Sequence, residues 1–410
     1  MGLIRAQWVL DDERGPVADG VVRVEQGRIV QVVTGTAPIR RLVNALGEKP
    51  LDLGAGVLCP GLVNAHAHLE LTALEGRLSG EGPFAAWVGQ LLRERAGCKD
   101  SDLAGGVQRG AQELLAGGTT AVGEITSLAI SPTWAGRSPM AVRLYHECLD
   151  AGDDSRTQGA LEGVREQVAA TALPPAISPH APFSVSAGLF AGLGALAKAG
   201  ALPITIHWAE SREEQEYLLH GEGPLAEHLG PAPRRPGLDL IDEAGLLGPR
   251  TSLVHGNYPM AGEPERLAAA GASLVHCPGT HRFFGRDEFP LDRYRRAGVN
   301  LALGTDSLAS NTALDMRQEM ALLRQAQPGL NPADVWSMAT RGGARALDLA
   351  GEVGGLTPGA RADLVLFQVD SAEPEAILDE LTAACPPVTA LTLAGRLQEG
   401  LPRATSASDR

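Results

Sequence analysis

Two histidines close an apolar run near the start of the chain, Val57-Leu58-Cys59-Pro60-Gly61-Leu62-Val63-Asn64-Ala65-His66-Ala67-His68. Because successive side chains of a strand point to opposite faces, His66 and His68 are expected to point the same way from one backbone. Two imidazoles held side by side can bind one divalent metal ion. A lone His-x-His pattern is as easily a coincidence or a pair of hydrogen-bonded polar residues, so its meaning depends on the rest of the chain.

The middle of the chain alternates strand-like and helix-like segments. Short β-branched runs recur at 57–64, 119–125, 141–147, 175–179, 203–207, 251–255, 272–276 and 299–304. Helical segments such as 102–116 and 187–199 lie between them and are followed by glycines, which favour helix C-termini. Eight alternating strands and helices predict an α/β protein with a (β/α)8 TIM barrel. A doubly wound sheet is the alternative, but no Gly-x-Gly-x-x-Gly motif follows the first strand.

Both ends of the chain are rich in strands instead. Near the N-terminus, 21–25 and 29–33 alternate apolar and polar residues around a Gln-Gly-Arg turn, which predicts a hairpin. Near the C-terminus, 362–367 and 388–393 have a similar pattern. Either end alone would expose an apolar face. We therefore predict a small composite β-sandwich domain formed by residues 1–56 and 353–410, with the barrel spanning 57–352.

The composition excludes several classes of function. The 410 residues carry a net charge of −14, which argues against non-specific binding to nucleic acid or to an anionic membrane surface. The five cysteines include no Cys-x-x-Cys pair, which is typical of a reduced compartment. The N-terminus does not resemble a secretory signal, and no apolar stretch reaches the roughly 18 residues of a membrane helix. These features predict a cytoplasmic protein without a nucleic-acid or membrane partner.

Most of the histidines fall at the same place in this predicted barrel. Seven of the ten lie at or just past the C-terminal end of a predicted strand, namely His66, His68, His146, His180, His207, His255 and His276. The active site of a (β/α)8 barrel is built at that rim. Any one of these histidines could be an ordinary core residue, but the set predicts a catalytic centre.

Two further strand ends complete a candidate metal site. The fifth strand ends in His207, followed by Glu210, and the eighth ends in Gly304-Thr305-Asp306. His66, His68, His207 and Asp306 together offer three nitrogen ligands and one oxygen ligand. That set suits zinc, with ferrous iron as the alternative, and leaves a position open for water.

The residues around this site fit hydrolytic deamination. A divalent cation makes hydroxide available near neutral pH. Glu210 is the candidate proton shuttle, Asp306 a second base, and His255 the residue that orients the nucleophile and stabilises its charge. The plainer interpretations are that Glu210 caps the next helix and that His255 is a hydrogen-bonded core residue.

Six ordered motifs resemble the amidohydrolase superfamily, on the branch that holds methylthioadenosine/S-adenosylhomocysteine deaminases, guanine deaminases and triazine chlorohydrolases. They begin at Pro60, Ser178, Ile206, Leu253, His276 and Gly304, and the similarity runs from about residue 51 to 370. The resemblance implies a distorted barrel, one catalytic metal and hydrolysis of an aminated heterocycle. It also implies that His180 contacts the substrate.

The lysines provide a separate indication of the metal count. Binuclear relatives bridge two metals with a carboxylated lysine from a middle strand, whereas Lys49, Lys99 and Lys198 all lie away from predicted strand ends. The fourth strand ends at His180 instead. One metal is therefore favoured over two.

The chain departs from the nucleoside deaminases after His276-Cys277-Pro278. Those relatives usually continue with a small residue and Ser-Asn, whereas this chain has Gly279-Thr280-His281-Arg282-Phe283-Phe284-Gly285-Arg286. Phe283 and Phe284 are candidates for stacking on an aromatic group of the substrate, and Arg282 or Arg286 for holding a carboxylate. Ordinary loop packing is the alternative.

The loop 69–95 is predicted to cover the sugar side of the pocket, with Trp87 as a substrate contact and Glu94 as a candidate sugar ligand. The sharpest hypothesis is a small-molecule amino-purine nucleoside substrate, 6-amino-6-deoxyfutalosine, which a sub-branch of the family deaminates on the way to menaquinone. The alternatives are a methylthioadenosine/S-adenosylhomocysteine or guanine deaminase, a chlorohydrolase-type enzyme, and an inactive barrel acting as a scaffold. Whether the protein forms a homodimer stays open.

Overall fold

The computed structural model describes residues 2–11, 14–127 and 130–398. In these residues the strands are β1 (Leu3–Asp11), β2 (Gly15–Glu25), β3 (Arg28–Thr34), β4 (Leu51–Asp52), β5 (Val57–Pro60), β6 (Leu62–Ala67), β7 (Thr119–Thr126), β8 (Ala141–Cys148), β9 (Ala176–Pro179), β10 (Ile204–Trp208), β11 (Thr251–His255), β12 (Ser273–His276), β13 (Asn300–Leu303), β14 (Leu364–Phe367), β15 (Val388–Leu393) and β16 (Arg396–Leu397).

The helices of the same residues are α1 (Thr36–Leu46), α2 (Phe84–Ala96), α3 (Asp100–Ala116), α4 (Ser131–Ala135), α5 (Thr157–Ala170), α6 (Ala187–Gly200), α7 (Arg212–His220), α8 (Gly237–Glu243), α9 (Glu263–Ala270), α10 (Pro278–Phe283), α11 (Leu291–Ala297), α12 (Met316–Ala326), α13 (Pro332–Met338), α14 (Arg341–Ala346) and α15 (Pro374–Ala383). Short 3₁₀ turns occupy Leu69–Leu74, Asp154–Arg156 and Pro224–Glu227. None of the described helices combines the length and the apolar character that crossing a membrane requires.

Strands β6 to β13 form the barrel predicted from the sequence. They pair in chain order and all in parallel. The ring closes where β13 returns to β6, through a parallel bridge between Ala67 and Asp306 and a 3.0 Å hydrogen bond from Asp306 N–H to His66 O. Closure therefore brings the eighth strand's end directly beside the two histidines of the first strand. The predicted (β/α)8 barrel is confirmed.

The run 57–64 was predicted as one strand, and the structure divides it at Gly61. Before Gly61, β5 pairs with β1 and β14 in the terminal sheet; after it, β6 pairs with β7 in the barrel. Gly61 N–H donates to Asp363 O (2.9 Å) on the sheet side. A Cβ at position 61 would lie 1.9 Å from Thr120 Oγ1, so only glycine fits where the chain passes from one sheet to the other.

The strands of both termini form one mixed sheet in the order β16-β15-β14-β5-β1-β2-β3, with β4 beside β1. The predicted hairpin is β2–β3, with Glu25 opposite Arg28. One face of this sheet buries an apolar cluster that includes Ile4, Val22, Leu58 and Leu364, drawn from both ends of the chain. The composite origin of the small domain is therefore confirmed, while residues 399–410 of its predicted C-terminal part lie outside the described residues.

Candidate metal centre and active site

Three histidines from two barrel strands converge at the C-terminal rim. One ring nitrogen from each of His66, His68 and His207 lies within 4.8 Å of the other two. The Nε2 atoms of His68 and His207 are 3.3 Å apart, and the ring of His66 stands edge-on to both at 4.9 Å between centroids. The expectation that His66 and His68 share a face of one strand is consistent with this arrangement.

Asp306 approaches the same cluster from the end of β13. Its Oδ1 lies 3.8 Å from Nε2 of both His66 and His68. Its Oδ2 accepts hydrogen bonds from Thr280 Oγ1 (3.2 Å) and Ser310 Oγ (3.1 Å). These two bonds fix the carboxylate so that one oxygen stays free and directed at the imidazoles.

The chemistry of this set fits a divalent cation. Both ring nitrogens of His66 are buried without a hydrogen-bond partner among the described residues. Burial lowers the pKa of His66 and His68 well below the usual value and that of His207 to about 4, so the rings are neutral and able to coordinate. His207 Nδ1 is bonded to His180 O (2.9 Å), which leaves Nε2 as its free nitrogen. Three nitrogens and one oxygen are a typical catalytic zinc or iron ligand set.

The backbone turns sharply at three of these strand ends. Ala209 (φ 51°), His255 (φ 76°) and Asp306 (φ 56°) all adopt the left-handed region, which non-glycine residues rarely occupy. Such conformations cluster where structure is held in place for function. Here they direct His255 and Asp306 into the mouth of the barrel rather than along the strand.

Glu210 lies beside His255 and Arg286 at the edge of this cluster. Its Oε2 is 3.7 Å from His255 Nε2, and its Oε1 is 3.8 Å from Arg286 Nη2. Burial raises the pKa of Glu210 to about 8, and the Arg286 guanidinium acts in the opposite direction. A carboxyl group with a pKa near neutrality suits general acid–base chemistry.

Other residues perform the helix capping that was the plainer interpretation of Glu210. Ser211 Oγ accepts from Glu214 N–H (3.0 Å) at the start of α7. The carboxylate of Glu214 in turn accepts from the N–H groups of Ala209 (3.0 Å) and Glu210 (2.7 Å). The side chain of Glu210 is therefore left to the pocket. His255 likewise lies within the cluster, its ring 5.5 Å from that of His207.

His180 follows β9 and borders the same histidines. Its ring centroid is 4.9 Å from that of His207, and its Nδ1 is bonded to Ser184 Oγ (2.6 Å). This position beside the cluster is compatible with the substrate contact that the family resemblance implies. By contrast, His146 points to the other face of β8, toward Gln167 of α5, and His276 stacks on Phe289 at 3.7 Å. Five of the seven strand-end histidines thus converge.

Aromatic side chains form a wall beside Glu210. Phe84 and Trp87 of α2 stack at 5.7 Å, and Phe284 packs edge-on against both. Trp87 Nε1 donates to Ala309 O (3.3 Å), which ties α2 to the segment after β13. Phe283 stands edge-on to Phe284 at 5.1 Å and also packs closely on Gly80, so the loop after β6 and the segment after β12 meet over the pocket.

The arginine that enters this wall is Arg286 and not Arg282. Arg282 is exposed on α10. The guanidinium of Arg286 lies 4.6 Å from the Phe284 ring centroid and 5.3 Å from that of Phe84. Its Nε and Nη2 atoms are buried without a hydrogen-bond partner among the described residues. Glu94, the candidate sugar ligand, is half-exposed, and its Oε2 lies 3.9 Å from Arg77 Nη1.

Three carboxylates near the site, of which Glu70 and Glu124 are buried and Glu147 is half-buried, were not found from the sequence. Glu147 of β8 lies close to His180 and His207. Glu70 and Glu124 share the hydroxyl of Ser131, and Glu124 also accepts the N–H of Leu69, the residue after His68. A glutamate inside a largely apolar strand was the available signal for Glu124 and Glu147, since glutamate is rarely placed in a buried segment unless it is paired.

Known proteins share this architecture. The amidohydrolase family model matches residues 57–394. A 5-methylthioadenosine/S-adenosylhomocysteine deaminase of Halobacterium salinarum is 31% identical over 374 residues, which cover 87% of this chain and 81% of that protein. An aminodeoxyfutalosine deaminase of Deinococcus radiodurans is 33% identical over 329 residues, 75% of this chain and 76% of that protein.

Among solved structures, an adenosine deaminase from Xanthomonas campestris with bound zinc superposes with a TM-score of 0.78 at 27% identity, covering 99% of this chain and 94% of that one. The His-rich cluster and these relatives agree on the class of chemistry. The chain belongs to the amidohydrolase family and is a metal-dependent hydrolytic enzyme that acts on C–N bonds.

Proposed function

We propose that this enzyme hydrolytically deaminates an amino-purine nucleoside, with one zinc ion at His66, His68, His207 and Asp306. The observation that carries the proposal is the placement of Glu210 and His255, 3.7 Å apart, beside that cluster. Two acid–base groups next to a candidate metal site can transfer the protons that both steps require, the addition of water and the departure of an amine. The names of the relatives, deaminases of methylthioadenosine, S-adenosylhomocysteine and aminodeoxyfutalosine, support the nucleoside class.

Each residue of the site has its own role in the proposed reaction. A divalent cation, when bound, lowers the pKa of water at the site toward neutrality. Glu210 is placed to take a proton from the attacking water and pass it to the ring nitrogen beside the carbon that bears the amino group. His255 fixes the direction of the water, and Asp306 accepts its second proton. The proton that Asp306 accepted passes to the departing amino group, the C–N bond breaks, the amine leaves as ammonia, and the base keeps an oxo group.

We further propose 6-amino-6-deoxyfutalosine as the substrate. The wall of Phe84, Trp87 and Phe284 offers aromatic faces, and Arg286 offers guanidinium donors that no described residue satisfies. An aromatic acid linked to a purine nucleoside presents partners for both kinds of group. The similarity to the Deinococcus enzyme supports the same choice. Methylthioadenosine and S-adenosylhomocysteine are the second candidates, because of the Halobacterium relative.

The test is a panel of amino-purine nucleosides incubated with zinc-loaded protein. Deamination releases ammonia and shifts the ultraviolet spectrum from adenine-like to hypoxanthine-like. We expect the highest kcat/KM on aminodeoxyfutalosine, and a kcat about 10²- to 10⁴-fold lower in Glu210→Gln. A preference for methylthioadenosine or S-adenosylhomocysteine would replace the specific substrate and leave the class intact. Absence of ammonia release from every nucleoside in the panel would reject the class.

A further inference from the structure

Glu319 is a buried carboxylate that no step of the proposed reaction uses. It belongs to the first turn of α12. Its Oε2 accepts a hydrogen bond from Gly279 N–H (2.7 Å), and its Oε1 accepts one from Asn311 Nδ2 (2.7 Å). Burial raises the pKa of Glu319 to about 8, and these two bonds act in the opposite direction because they stabilise the charged form. A carboxylate is therefore held, at a cost, between the segment after β12 and the segment after β13.

Asn311 connects this carboxylate to the backbone of Asp306. Its Nδ2 also donates to Thr305 O (2.8 Å), and its Oδ1 accepts Thr312 N–H (2.7 Å), so three hydrogen bonds fix the orientation of the amide. Thr305 O and Asp306 N belong to one peptide unit, and Asp306 N–H donates to His66 O (3.0 Å). That peptide unit is thus held at both ends. It immediately precedes the left-handed φ of 56° at Asp306.

The bond to Gly279 leads to the carboxylate of Asp306. Gly279 precedes Thr280, whose Oγ1 donates to Asp306 Oδ2 (3.2 Å). Ser310, which precedes Asn311, donates to the same oxygen (3.1 Å). A Cβ on Gly279 would lie 2.3 Å from the Asn311 amide, so the two segments pack together without room for another atom. The carboxylate of α12 therefore joins the two segments that supply both hydroxyl donors to Asp306.

Resting on the proposed function, we infer that Glu319 is a positioning residue for Asp306. It acts along two paths, one to the peptide unit before Asp306 and one to the hydroxyls that hold its Oδ2. Partners behind a metal ligand orient it and tune its affinity, and Asp306 is both a ligand and a base in the proposed reaction. Capping of α12 does not require Glu319, because Asp315 Oδ1 accepts Arg317 N–H (2.9 Å) there.

The experiment replaces Glu319 by glutamine, which has nearly the same size. Its amide offers one acceptor oxygen and one NH2 group, so either Gly279 N–H or Asn311 Nδ2 faces another donor. Zinc affinity is measured by competition with a chelator, and cobalt(II) is bound in place of zinc because its visible absorption depends on the geometry of its ligands. In Glu319→Gln we expect about tenfold to a hundredfold weaker zinc binding, a changed cobalt spectrum and a lower kcat with little change in KM.

Asp315→Asn is the matched control. Asp315 is also buried beside α12, but its carboxylate is bonded to Arg317 and to neither of the two segments. This variant should unfold at a lower temperature than wild type while it keeps zinc affinity, the cobalt spectrum and kcat. A similar loss of zinc affinity in Asp315→Asn would overturn the inference, in favour of a general loss of stability.

Asn311→Ala breaks only the path to the peptide unit, and it is measured in the same way should Glu319→Gln fail to fold. The zinc affinity and cobalt spectrum of wild type in either variant would show that Asp306 is placed without this carboxylate, and would overturn the inference. Zinc binding by wild type without deamination of any nucleoside would reject the proposed function alone, since affinity and spectrum decide the role of Glu319 separately. Absence of zinc binding by wild type would remove the proposed metal centre and this inference together.

Discussion

Nε2 of His68 lies 3.3 Å from Nε2 of His207, although the two residues are 139 positions apart and belong to the first and fifth strands of the barrel. Burial lowers the pKa of both rings, so neither is a cation near neutral pH. At most one proton is shared between the two nitrogens. A divalent cation held by these two residues together with His66 and Asp306, as we propose, would satisfy both lone pairs at once.

Metal loading should stabilise the folded protein. A ligand that binds only the folded state at a hundred times its Kd contributes about 2.7 kcal/mol, so zinc should raise the unfolding temperature by several degrees over chelator-treated protein. We expect about one equivalent of metal per chain by elemental analysis, and loss of both effects in His207→Ala. His220→Gln, exposed on α7, should behave as wild type. Equal unfolding temperatures with zinc and with chelator would contradict this site.

Glu210→Gln should retain metal but lose turnover. The substitution keeps the size of the side chain and its place beside His255, yet it removes the group that accepts and returns the proton. General acid–base catalysis contributes about 10²- to 10⁴-fold, and kcat should fall by that order with little change in zinc content. Glu216→Gln on the exposed face of α7 serves as control. Full activity in Glu210→Gln would remove this carboxyl from the mechanism.

Arg286 should set the pH at which Glu210 works. A guanidinium 3.8 Å away lowers the pKa of the Glu210 carboxyl, against burial, which raises it. Removing the charge in Arg286→Met therefore raises the pKa further, and the limb of the kcat/KM profile that Glu210 controls moves to higher pH, by about one unit or more. Arg286→Lys keeps a charge at this position and should shift the limb less. Superimposable profiles for wild type and Arg286→Met would refute the coupling.

The barrel and the cluster of four candidate ligands could be predicted because each leaves a local pattern in the sequence. Period-two and helical patterns locate the strands, and polar residues at strand C-termini stand out from apolar runs. His66, His68, His207 and Asp306 were found in this way, and the structure places all four at one rim. A polar residue at a strand C-terminus indicates a site residue because a closed ring of parallel strands brings these ends together, whatever their separation in the chain.

The other features of the fold and of the candidate site depend on contacts between residues far apart in the sequence, which no local sequence pattern reveals. The division at Gly61 follows from the proximity of Thr120, and the choice of Arg286 over Arg282 follows from the path of the chain after α10, which brings Arg286 onto the Phe284 ring. His146 obeys the strand-end pattern but lies on the outward face, since a one-residue step reverses direction in a strand. Glu147, its neighbour, takes the inward position instead.

Gly304→Ala should damage the metal centre without touching a ligand. A Cβ at this position would lie 2.9 Å from His66 Cβ and 3.0 Å from His66 O, where β13 meets β6. Backbone atoms cannot yield as a flexible side-chain tip can, so the methyl group must push the two strands apart and with them His66 from Asp306. Overpacking of this kind costs about 1–3 kcal/mol, and zinc affinity should fall together with stability. Gly163→Ala, in open space on α5, is the matched control and should leave zinc affinity unchanged. Wild-type zinc affinity in Gly304→Ala would mean that the ligands tolerate separation of the strands, and that the closure of the ring does not position them.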